Sequence, residues 1–419
     1  MTPATVRTAM TSQPQVNRRA LYFLLVTILL DTIGFGIIIP VMPALIMELT
    51  GEGLSASARY SGWLMLLFAV VNFIAMPILG NLSDRFGRRP VLLVSLMALG
   101  VNTLLMGFAT SLAWLFIARV ITGAASAAYG TANAYVADIS PPDQRAQNFG
   151  LIGATFGLGF ILGPAIGGTL GEYGSRIPFF FAAAVSLANV VYGYFVLPES
   201  LAKQHRRPFD WRRANPLGAI RGLRHFPVVR GLVLIVVLYQ LAFQVLPSTW
   251  NFYTMYRFDW SVAEVGYSLA FSGILMIFVQ AGLVRRVIPR YGEYRSALFG
   301  LLFCVAGHSA YAFAPAGWVM YAGMVLASLS GLVGPSLGAI MSRQVGPTGQ
   351  GELQGAMGAV VSLTGIVGPL AMTQLFGYFS SDTAVIHFPG APFFASATLM
   401  LGALLLLLRQ RSSMGSASA

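Results

Sequence analysis

Two charged residues, Asp31 and Arg119, lie deep inside long apolar segments of the chain. A charge in the middle of a membrane-spanning helix costs about 2.5–3.5 kcal/mol on insertion scales, so such residues face a protein interior and usually mark a pathway. A carboxylate there can carry a proton, because a change in its burial or in its distance from a cation changes its protonation. The sequence therefore favours proton coupling through Asp31 and Arg119. A static ion pair between two helices is the alternative.

The composition indicates that these two residues belong to a chain embedded in a lipid bilayer. Apolar residues make up 56% of the 419 residues and charged residues only 10%, and the mean hydropathy is +0.72. Such values are typical of proteins whose outer surface contacts hydrocarbon. A spanning helix needs about 20 mostly apolar residues, and the sequence predicts twelve of them. They centre on residues 20–48, 59–79, 90–109, 113–137, 146–170, 177–196, 231–254, 263–284, 295–314, 317–341, 352–378 and 391–408.

The basic residues predict how those helices are oriented. If both termini are cytoplasmic, all but four of the 26 Lys and Arg residues fall on the cytoplasmic side, as the positive-inside rule requires. The four are Arg59, Arg176 and Arg257, which fall outside, and Arg119. Membrane orientation thus explains the net charge of +12 without nucleic-acid binding. We predict a multi-pass protein of a bacterial inner membrane without a cleaved leader, since the first apolar segment is too long for a signal-peptide core.

Two halves of the chain repeat one another. The same offset separates Gly150 from Gly355 and Pro164 from Pro369. The predicted fold is therefore an all-α membrane protein with two pseudo-symmetric six-helix bundles and a small-molecule path between them near the bilayer midplane. The predicted domains are a cytoplasmic tail 1–19, a bundle 20–196, a cytoplasmic linker 197–230, a bundle 231–408 and a second cytoplasmic tail 409–419. The basic linker is interpreted as a plain connection, with contact to anionic lipid headgroups as the alternative.

A segment rich in glycine and arginine is predicted to join the second and third helices. Its candidate gating residues are Gly80, Asp84, Arg85, Gly87, Arg88 and Arg89. The glycines permit a tight turn, and Asp84 can pair with an arginine or with a helix N-terminus across the boundary between the bundles. A pairing that differs between two conformations would make this segment a latch. Anchoring by positive charge alone does not explain its acid and its glycines.

The fifth predicted helix carries a stripe of small residues that is a second candidate gating element. It consists of Gly159, Gly163, Pro164, Gly167 and Gly168. Glycines four residues apart let another helix approach closely. Packing of neighbouring helices is the simpler interpretation of this stripe, and a seal or hinge between the two bundles is the functional one.

Polar and aromatic residues on the apolar helices are candidates for substrate binding. They are Asn72, Asn102, Tyr129, Asn133, Phe156, Gln240, Gln244, Trp250, Asn251 and Gln280. Small-molecule cavities combine apolar walls with a few polar groups, but each of these side chains can also pack in a core or bond to a neighbouring helix. No metal site and no cofactor are predicted, because the one cysteine and the four histidines show no ligand spacing.

These motifs together resemble the major facilitator superfamily. The segment 80–89 matches the superfamily's loop motif G-x-L-a-D-r-x-G-r-r at nearly every position. Arg119 with Gly123 matches its fourth-helix motif, and the stripe from Gly159 to Gly168 matches its fifth-helix antiporter motif. The similarity covers almost the whole chain, and the antiporter motif implies an exporter.

Within the superfamily, the sequence resembles the tetracycline/proton antiporter group. Residues 29–36 and 40–43 are similar to the group's first helix, and Gln240, Gln244 and Trp250 to its seventh. The resemblance implies a monomer that exports tetracycline-type or other amphipathic compounds by alternating access, with protons as the coupling ion and with a substrate that can arrive as a metal chelate. The alternatives are a transporter of a native metabolite and, in a different class, a receptor or a membrane-embedded enzyme.

Three positions depart from that group. Its third, eighth and ninth helices carry an aspartate, a histidine and an aspartate, where this chain has Asn102, Met276 and Cys304. In the group those residues are tied to proton coupling and to recognition of a metal–tetracycline complex. Their replacement leaves Asp31 as the sole acid well inside the predicted helices, away from their ends. His308, one turn beyond Cys304, is either a compensating group or a hydrogen-bonded core residue.

Overall fold

The structure is a computed structural model of the 419-residue chain. It describes residues 18–126, 129–141, 144–210, 230–345 and 350–410. Within these residues the chain is predominantly α-helical and contains no β-strand. Most of both predicted tails, most of the predicted linker and the side chain of Tyr129 lie outside the described residues.

We number the membrane helices α1 to α12 and keep one number where a helix is interrupted. The first six are α1 Arg18–Ile38, α2 Leu54–Phe86, α3 Arg88–Gly107, α4 Leu112–Ser126 with Tyr129–Ile139, α5 Arg145–Gly171 and α6 Ile177–Val196. The second six are α7 Arg230–Phe243 with Val245–Phe258, α8 Val262–Ile277 with Val284–Tyr291, α9 Glu293–Ala312, α10 Gly317–Ser328 with Val333–Arg343, α11 Gln350–Phe379 and α12 Ala391–Arg409. Short helical pieces are Met42–Thr50 after α1, Lys203–His205 after α6, a π-helical turn Phe278–Leu283 within α8 and a 3₁₀ turn Leu329–Leu332 within α10.

Eleven helices in the described part of the chain are long and apolar enough to cross a membrane. The helix outside this set is α9, whose 20 residues include Arg295 and His308 and are therefore less apolar. α9 packs against α10 and α12 and completes the second bundle of six. The prediction of an all-α membrane protein with twelve helices is confirmed.

Helices α1 to α6 form one bundle and α7 to α12 the other, and the two bundles meet along two seams. α2 packs against α11 at one seam, and α5 packs against α8 at the other. We call the end of the molecule near Phe86 and Val196 the linker face, because the chain leaves the first bundle there. The opposite end, near Leu54 and Gly171, is the distal face.

The seam between α5 and α8 is tight at the distal face and loosens towards the linker face. A Cβ atom added at Gly168 would lie 2.8 Å from the Val262 carbonyl oxygen. About three turns nearer the linker face, a Cβ atom at Gly157 would meet Ile277 only at 3.7 Å, and one at Gly153 would meet nothing within 4 Å. The two helices therefore diverge towards the linker face.

The seam between α2 and α11 diverges in the same direction. A Cβ atom at Gly62, near the distal face, would overlap the Thr373 hydroxyl. Gly80 lies on the same side of α2 about five turns later, and a Cβ atom there would meet nothing within 4 Å. The two bundles thus form a wedge that is closed at the distal face and open at the linker face.

Candidate functional site

A cavity of about 740 Å³ lies between the two bundles. Asp31 on α1 and Arg119 on α4 line its first-bundle wall, and Gln244 and Asn251 on α7 line its second-bundle wall. Asp31 and Arg119 are the only charged residues among those that line it. Both intramembrane charges therefore face the protein interior, in a space that the wedge opens towards the linker face.

Neither of these two charges has a partner in this conformation. Among the described residues, Asp31 and Arg119 make no ion pair and no hydrogen bond, with each other or with a neighbour, and Arg119 Nε is buried without an acceptor. The static ion pair that the sequence left open is therefore not formed here. An unpaired charge is costly in a low-dielectric interior, so both side chains are available to bind a partner that enters the cavity.

Helix α1 is held beside the cavity by close packing on α5. A Cβ atom at Gly159 would lie 2.6 Å from Thr32 Cβ, and one at Gly163 would lie 2.7 Å from Gly36 Cα. A Cβ atom at Gly167 would overlap the α1 backbone. The glycines that are four residues apart therefore pack within the first bundle, which is the simpler of the two interpretations.

The neighbouring small residues of α5 lie at the seam instead. A Cβ atom at Gly266 on α8 would overlap the Pro164 carbonyl oxygen and lie 3.0 Å from Gly168 Cα. Pro164 and Gly168 thus allow α5 and α8 to touch near the distal face. Of the predicted stripe, these two residues make the contact between the bundles, and their role as a seal stays a prediction.

Four of the predicted substrate residues line the cavity. They are Asn72, Phe156, Gln244 and Asn251. Asn72 Nδ2 also donates to the Gly123 carbonyl oxygen at 3.0 Å, which ties α2 to α4. The side chain of Phe156 is 39% exposed, and its ring lies 5.4 Å from that of Phe160. These residues present amide groups and aromatic surface to one space, although their role in binding stays a prediction.

Asn251 also closes the distal end of the cavity. Its Nδ2 atom donates to the Ile39 carbonyl oxygen at 2.6 Å, across the boundary between the bundles. In a continuous helix that carbonyl would accept from residue 43, but Pro43 has no N–H group. The break between α1 and the short helix Met42–Thr50 thus leaves a carbonyl group that the second bundle satisfies.

Four other links between the bundles lie at the distal face. Glu172 Oε1 accepts from the Ala263 N–H group at 2.9 Å at the start of α8, where a helix N-terminus favours an anion. The hydroxyl groups of Thr169 and Tyr267 are 3.0 Å apart. Two further hydrogen bonds, one between two serine hydroxyls and one from a glutamine side-chain amide, link α2 to the end of α11. Every hydrogen bond between bundles in the described ranges is distal. The sequence analysis did not identify Glu172. It also missed the Ile39 carbonyl group, although Pro43, which has no N–H group, indicates that this carbonyl lacks its usual helical partner.

The predicted latch pairs within one bundle in this conformation. Arg88 Nη1 donates to Asp84 Oδ1 at 2.5 Å, and Arg88 Nε donates to Asp138 Oδ2 at 3.3 Å. Glu199 accepts from the Arg88 N–H group at 2.9 Å. Arg89 Nη2 donates to a carbonyl oxygen of α6 at 2.5 Å. None of these partners lies across the seam, so the expected cross-bundle pairing of Asp84 is absent from the described residues here.

The turn in this segment is narrower than predicted. α2 continues to Phe86, so Gly80 lies inside a helix and the expected turn at this position is wrong. Gly87 alone makes the turn, with φ of +105°, and a Cβ atom there would overlap the Glu199 carboxylate. Arg85 does not join the charge cluster; its guanidinium lies 5.1 Å from the Phe86 ring centroid.

Comparison with known proteins decides the family. The family model of the Major Facilitator Superfamily matches residues 24–369. The chain belongs to the Major Facilitator Superfamily. It is 37% identical, over 87% of this chain and 91% of that protein, to the class C tetracycline resistance protein of Escherichia coli. It is 32% identical, over 87% of this chain and 90% of that protein, to the class H tetracycline resistance protein of Pasteurella multocida.

These identities also place the chain in the family of the tetracycline resistance proteins. Among solved structures, the human organic anion transporter MFSD10 matches with a TM-score of 0.67 and 25% identity, over 93% of this chain and 99% of that chain. As a major facilitator, this chain is a multi-pass membrane protein that acts on small molecules. The resemblance that the sequence motifs indicated is confirmed.

The three positions that differ from the tetracycline/proton antiporter group do not line the cavity between the bundles. Asn102 is buried and donates to Thr122 Oγ1 at 2.8 Å and to the Ala118 carbonyl oxygen at 3.2 Å. Met276 is 58% exposed on the outer surface of α8, and Cys304 is fully buried. Asn102 is therefore an interhelical link in this conformation, and its prediction as a cavity residue is not supported by its position.

His308 is a buried core residue of the second bundle. Its Nδ1 atom lies 2.9 Å from the Cys304 carbonyl oxygen and 3.2 Å from Cys304 Sγ, while its Nε2 atom has no partner. It does not reach the cavity that contains Asp31. Of the two interpretations of His308, a hydrogen-bonded core residue is the one that matches its position.

Four further substrate candidates with described side chains do not line the cavity in this conformation. Trp250 is 2% exposed, donates from Nε1 to Ser268 Oγ at 2.9 Å and packs edge-on to Tyr311. It is a core residue, because its large ring and its N–H group are both satisfied inside the second bundle. Asn133, Gln240 and Gln280 are likewise outside the cavity lining.

We expect Asn251→Val to shift the protein towards a conformation that is open at the distal face. The substitution removes the one partner that the Ile39 carbonyl oxygen has among the described residues, and loss of a hydrogen bond costs about 0.5–1.5 kcal/mol. The measurement is the rate at which an impermeant maleimide labels Ser61→Cys, a cavity position near the distal face. Cys304 is the one natural cysteine and is buried, so labelling reports the new thiol.

The matched control for this prediction is Asn133→Val. Asn133 is half-buried and lies outside the cavity and the distal links. Its replacement is expected to leave the labelling rate of Ser61→Cys unchanged. Equal labelling rates in the Asn251→Val and the parent protein would show that the Asn251–Ile39 bond does not hold the distal face closed.

Proposed function

We propose that the chain is a proton-coupled exporter of tetracycline-type or other amphipathic compounds that works by alternating access. It acts as a monomer, needs no resident cofactor and catalyses no covalent reaction. One observation carries the proposal: an unpaired carboxylate, Asp31, lies in a cavity that both bundles line. The names of the tetracycline resistance relatives support the substrate class.

The proposed orientation places the linker face in the cytoplasm of a bacterium. The basic residues in the loops and at the helix ends concentrate at that face, as they do on the cytoplasmic side of membrane proteins. Arg88, Arg89, Arg206 and Arg207 are described there, whereas Arg59, Arg176 and Arg257 belong to the distal half. The wedge then takes up substrate from the cytoplasm and from the inner leaflet.

The proposed cycle moves one bundle against the other. With the distal links formed, the cavity receives substrate from the cytoplasm. Breaking those links and closing the wedge exposes the cavity, and Asp31 with it, to the outside. There a proton binds Asp31 as the substrate leaves, and the proton is released to the cytoplasm when the wedge opens again. Inward proton flow is thereby coupled to outward export, because the same carboxylate changes sides with the cavity.

Arg119, Asp84 and α5 have separate proposed parts in this cycle. Arg119 shares the cavity with Asp31 and changes the local field at its carboxylate. Asp84, held by Arg88 in this conformation, exchanges partners when the wedge closes. Pro164 and Gly168 of α5 allow the distal contact to form.

Expression in a host without its own efflux pumps tests this function. The host is challenged with a panel of toxic amphipaths that includes tetracycline, and tolerance and intracellular accumulation are measured. The proposal expects higher tolerance and lower accumulation for at least one compound, both abolished by a protonophore. Tolerance and accumulation equal to those of the empty host for every compound would contradict export of this class. A parallel uptake screen separates this result from transport of a native metabolite.

A further inference from the structure

The charges of the cavity are unequally distributed between its two walls. Asp31 and Arg119 both belong to the first bundle, while the polar residues that the second bundle contributes, such as Gln244 and Asn251, are neutral. The remaining lining residues are mostly apolar. A bound compound therefore meets one acid, one guanidinium and otherwise neutral surface.

The guanidinium of Arg119 needs an anion that the protein does not supply. Its Nε atom is buried without an acceptor, and among the described residues no carboxylate pairs with it. An arginine stays charged in proteins and presents a planar fork of donors that matches the oxygens of an anion. A ligand that carries such an oxygen group would satisfy it.

Aromatic surface lies in the same cavity. The rings of Phe35 on α1 and Phe160 on α5 are 6.5 Å apart, Phe156 continues the row at 5.4 Å from Phe160, and all three line the cavity. Phe35 and Phe156 are 43% and 39% exposed. Such partly exposed rings favour flat, apolar ring systems as ligands.

The donor set does not favour a divalent cation as the link between ligand and protein. A divalent cation that arrives with its ligand still needs at least one protein carboxylate to bind it, and Asp31, the one carboxylate that lines the cavity, shares that cavity with the cationic Arg119. In the described ranges no group of three or more His, Cys, Asp or Glu residues is placed to hold a metal. The metal chelate that the family resemblance implied is therefore not what these residues fit.

We propose that Arg119 binds an anionic oxygen group of an aromatic amphipath directly, without a divalent cation, while the Phe35–Phe160–Phe156 row contacts its rings. The ligand class is aromatic compounds bearing a sulfonate, a carboxylate or a deprotonated enol or phenol. This specificity site deepens the proposed export function and rests on it. Arg119 is thereby assigned to substrate recognition in addition to its influence on Asp31.

Binding of two matched fluorescent probes tests the site without any transport step. The anionic probe is 8-anilinonaphthalene-1-sulfonate, and the neutral probe is N-phenyl-1-naphthylamine, which has the same rings and no sulfonate. The protein is purified in nanodiscs of zwitterionic lipid, with empty nanodiscs as the blank. Loss of a charge-assisted hydrogen bond costs about 1.5–3 kcal/mol, so Arg119→Gln is expected to weaken the anionic probe by about tenfold or more and to leave the neutral probe within about twofold.

Three further measurements sharpen the result. Arg119→Lys keeps the charge and loses the fork, so an intermediate affinity for the anionic probe is expected. Arg257→Gln removes an exposed arginine outside the cavity and is expected to change neither affinity. Magnesium and EDTA are expected to leave the affinity of the wild-type protein for the anionic probe unchanged.

The outcomes separate this site from the proposed function. Unchanged affinity for the anionic probe in Arg119→Gln, equal loss of both probes, or a requirement for magnesium would each overturn the anion site. If Arg119→Gln does not fold, the comparison of the two probes on Arg119→Lys and the magnesium test on the wild-type protein decide. A failure of export in cells leaves these binding results unaffected, because no proton gradient is used.

Discussion

Asp31→Asn is expected to abolish proton-driven export while leaving the fold intact. The carboxylate lies unpaired in the cavity, so its replacement by an amide removes a proton carrier without removing a structural bond. In inverted vesicles energised with an inward-directed proton pump, uptake of the transported compound should fall to the level of vesicles without the protein. The amide is close in size to the acid and carries no charge, so its insertion costs no more than that of the carboxylate, and expression should be unchanged.

Two controls separate loss of coupling from general damage. Asp31→Glu retains a titratable group and is expected to retain part of the activity. Asp259→Asn makes the same chemical change at a distal turn, where φ is 52° and asparagine is well tolerated, and full activity is expected. Binding of the anionic probe to Asp31→Asn should persist, because Arg119 is still present. Full proton-driven export by Asp31→Asn would exclude Asp31 as the coupling group.

The fold was predictable because of what a bilayer forbids. Apolar stretches long enough to span it, a strong bias of arginines to one side and two isolated charges all follow from the cost of placing polar groups in hydrocarbon. The same cost predicts that Asp31 and Arg119 face an interior space, which is where the structure places them. The sequence also predicts α9, at residues 295–314, although Arg295 and His308 leave this helix outside the set of eleven apolar spans.

Helix rotation was not predictable, and this explains the misplaced residues. A helix surrounded by lipid is apolar on its outer and inner sides, so hydrophobic periodicity does not say which side faces which neighbour. Gly167 and Gly168 are adjacent in sequence, yet Gly167 packs on α1 of its own bundle and Gly168 on α8 of the other. One residue is about 100° of helix rotation, which is enough to exchange a structural role for a gating one.

The neighbour that each side chain contacts could not be predicted from the sequence either. Trp250 and Phe156 are both aromatic residues in apolar helices, but Trp250 has Ser268 beside its N–H group and is buried, while Phe156 faces the cavity. Asp84 could pair within its bundle or across the seam, and the choice depends on the conformation. Arg88, just beyond the turn at Gly87, supplies the partner in the wedge-open form.

Bulky residues at two glycines of the α5–α8 seam are expected to trap opposite conformations. Gly266→Val places a side chain against the Pro164 carbonyl oxygen, which belongs to a backbone that cannot rotate away. Overpacking of this kind costs about 1–3 kcal/mol, and each 1.4 kcal/mol changes a two-state ratio about tenfold. Gly266→Val should therefore separate α5 from α8 at the distal face and increase labelling of Ser61→Cys from the distal side.

Gly153→Val is expected to do the reverse. Nothing lies within 4 Å of a Cβ atom at Gly153 in the wedge-open form, so the substitution costs nothing here. Gly153 continues the line of Gly157 and Pro164 along α5 towards the linker face, at the spacing that puts residues on one side of a helix. When the wedge closes, its new side chain would meet α8, so distal labelling should fall below the level of the parent protein.

Both substitutions should stop export, for opposite reasons, and this pairing makes the wedge testable. Gly402→Val on α12 is the matched control, because a Cβ atom there meets only Leu238 of the same bundle at 3.6 Å, and export should persist. If both seam variants changed distal labelling in the same direction, the two ends of the α5–α8 seam would not alternate. A single cavity that opens to each side in turn requires that steric bulk at one end of the seam favour opening at that end, because the bundles move as rigid bodies about the contact between them.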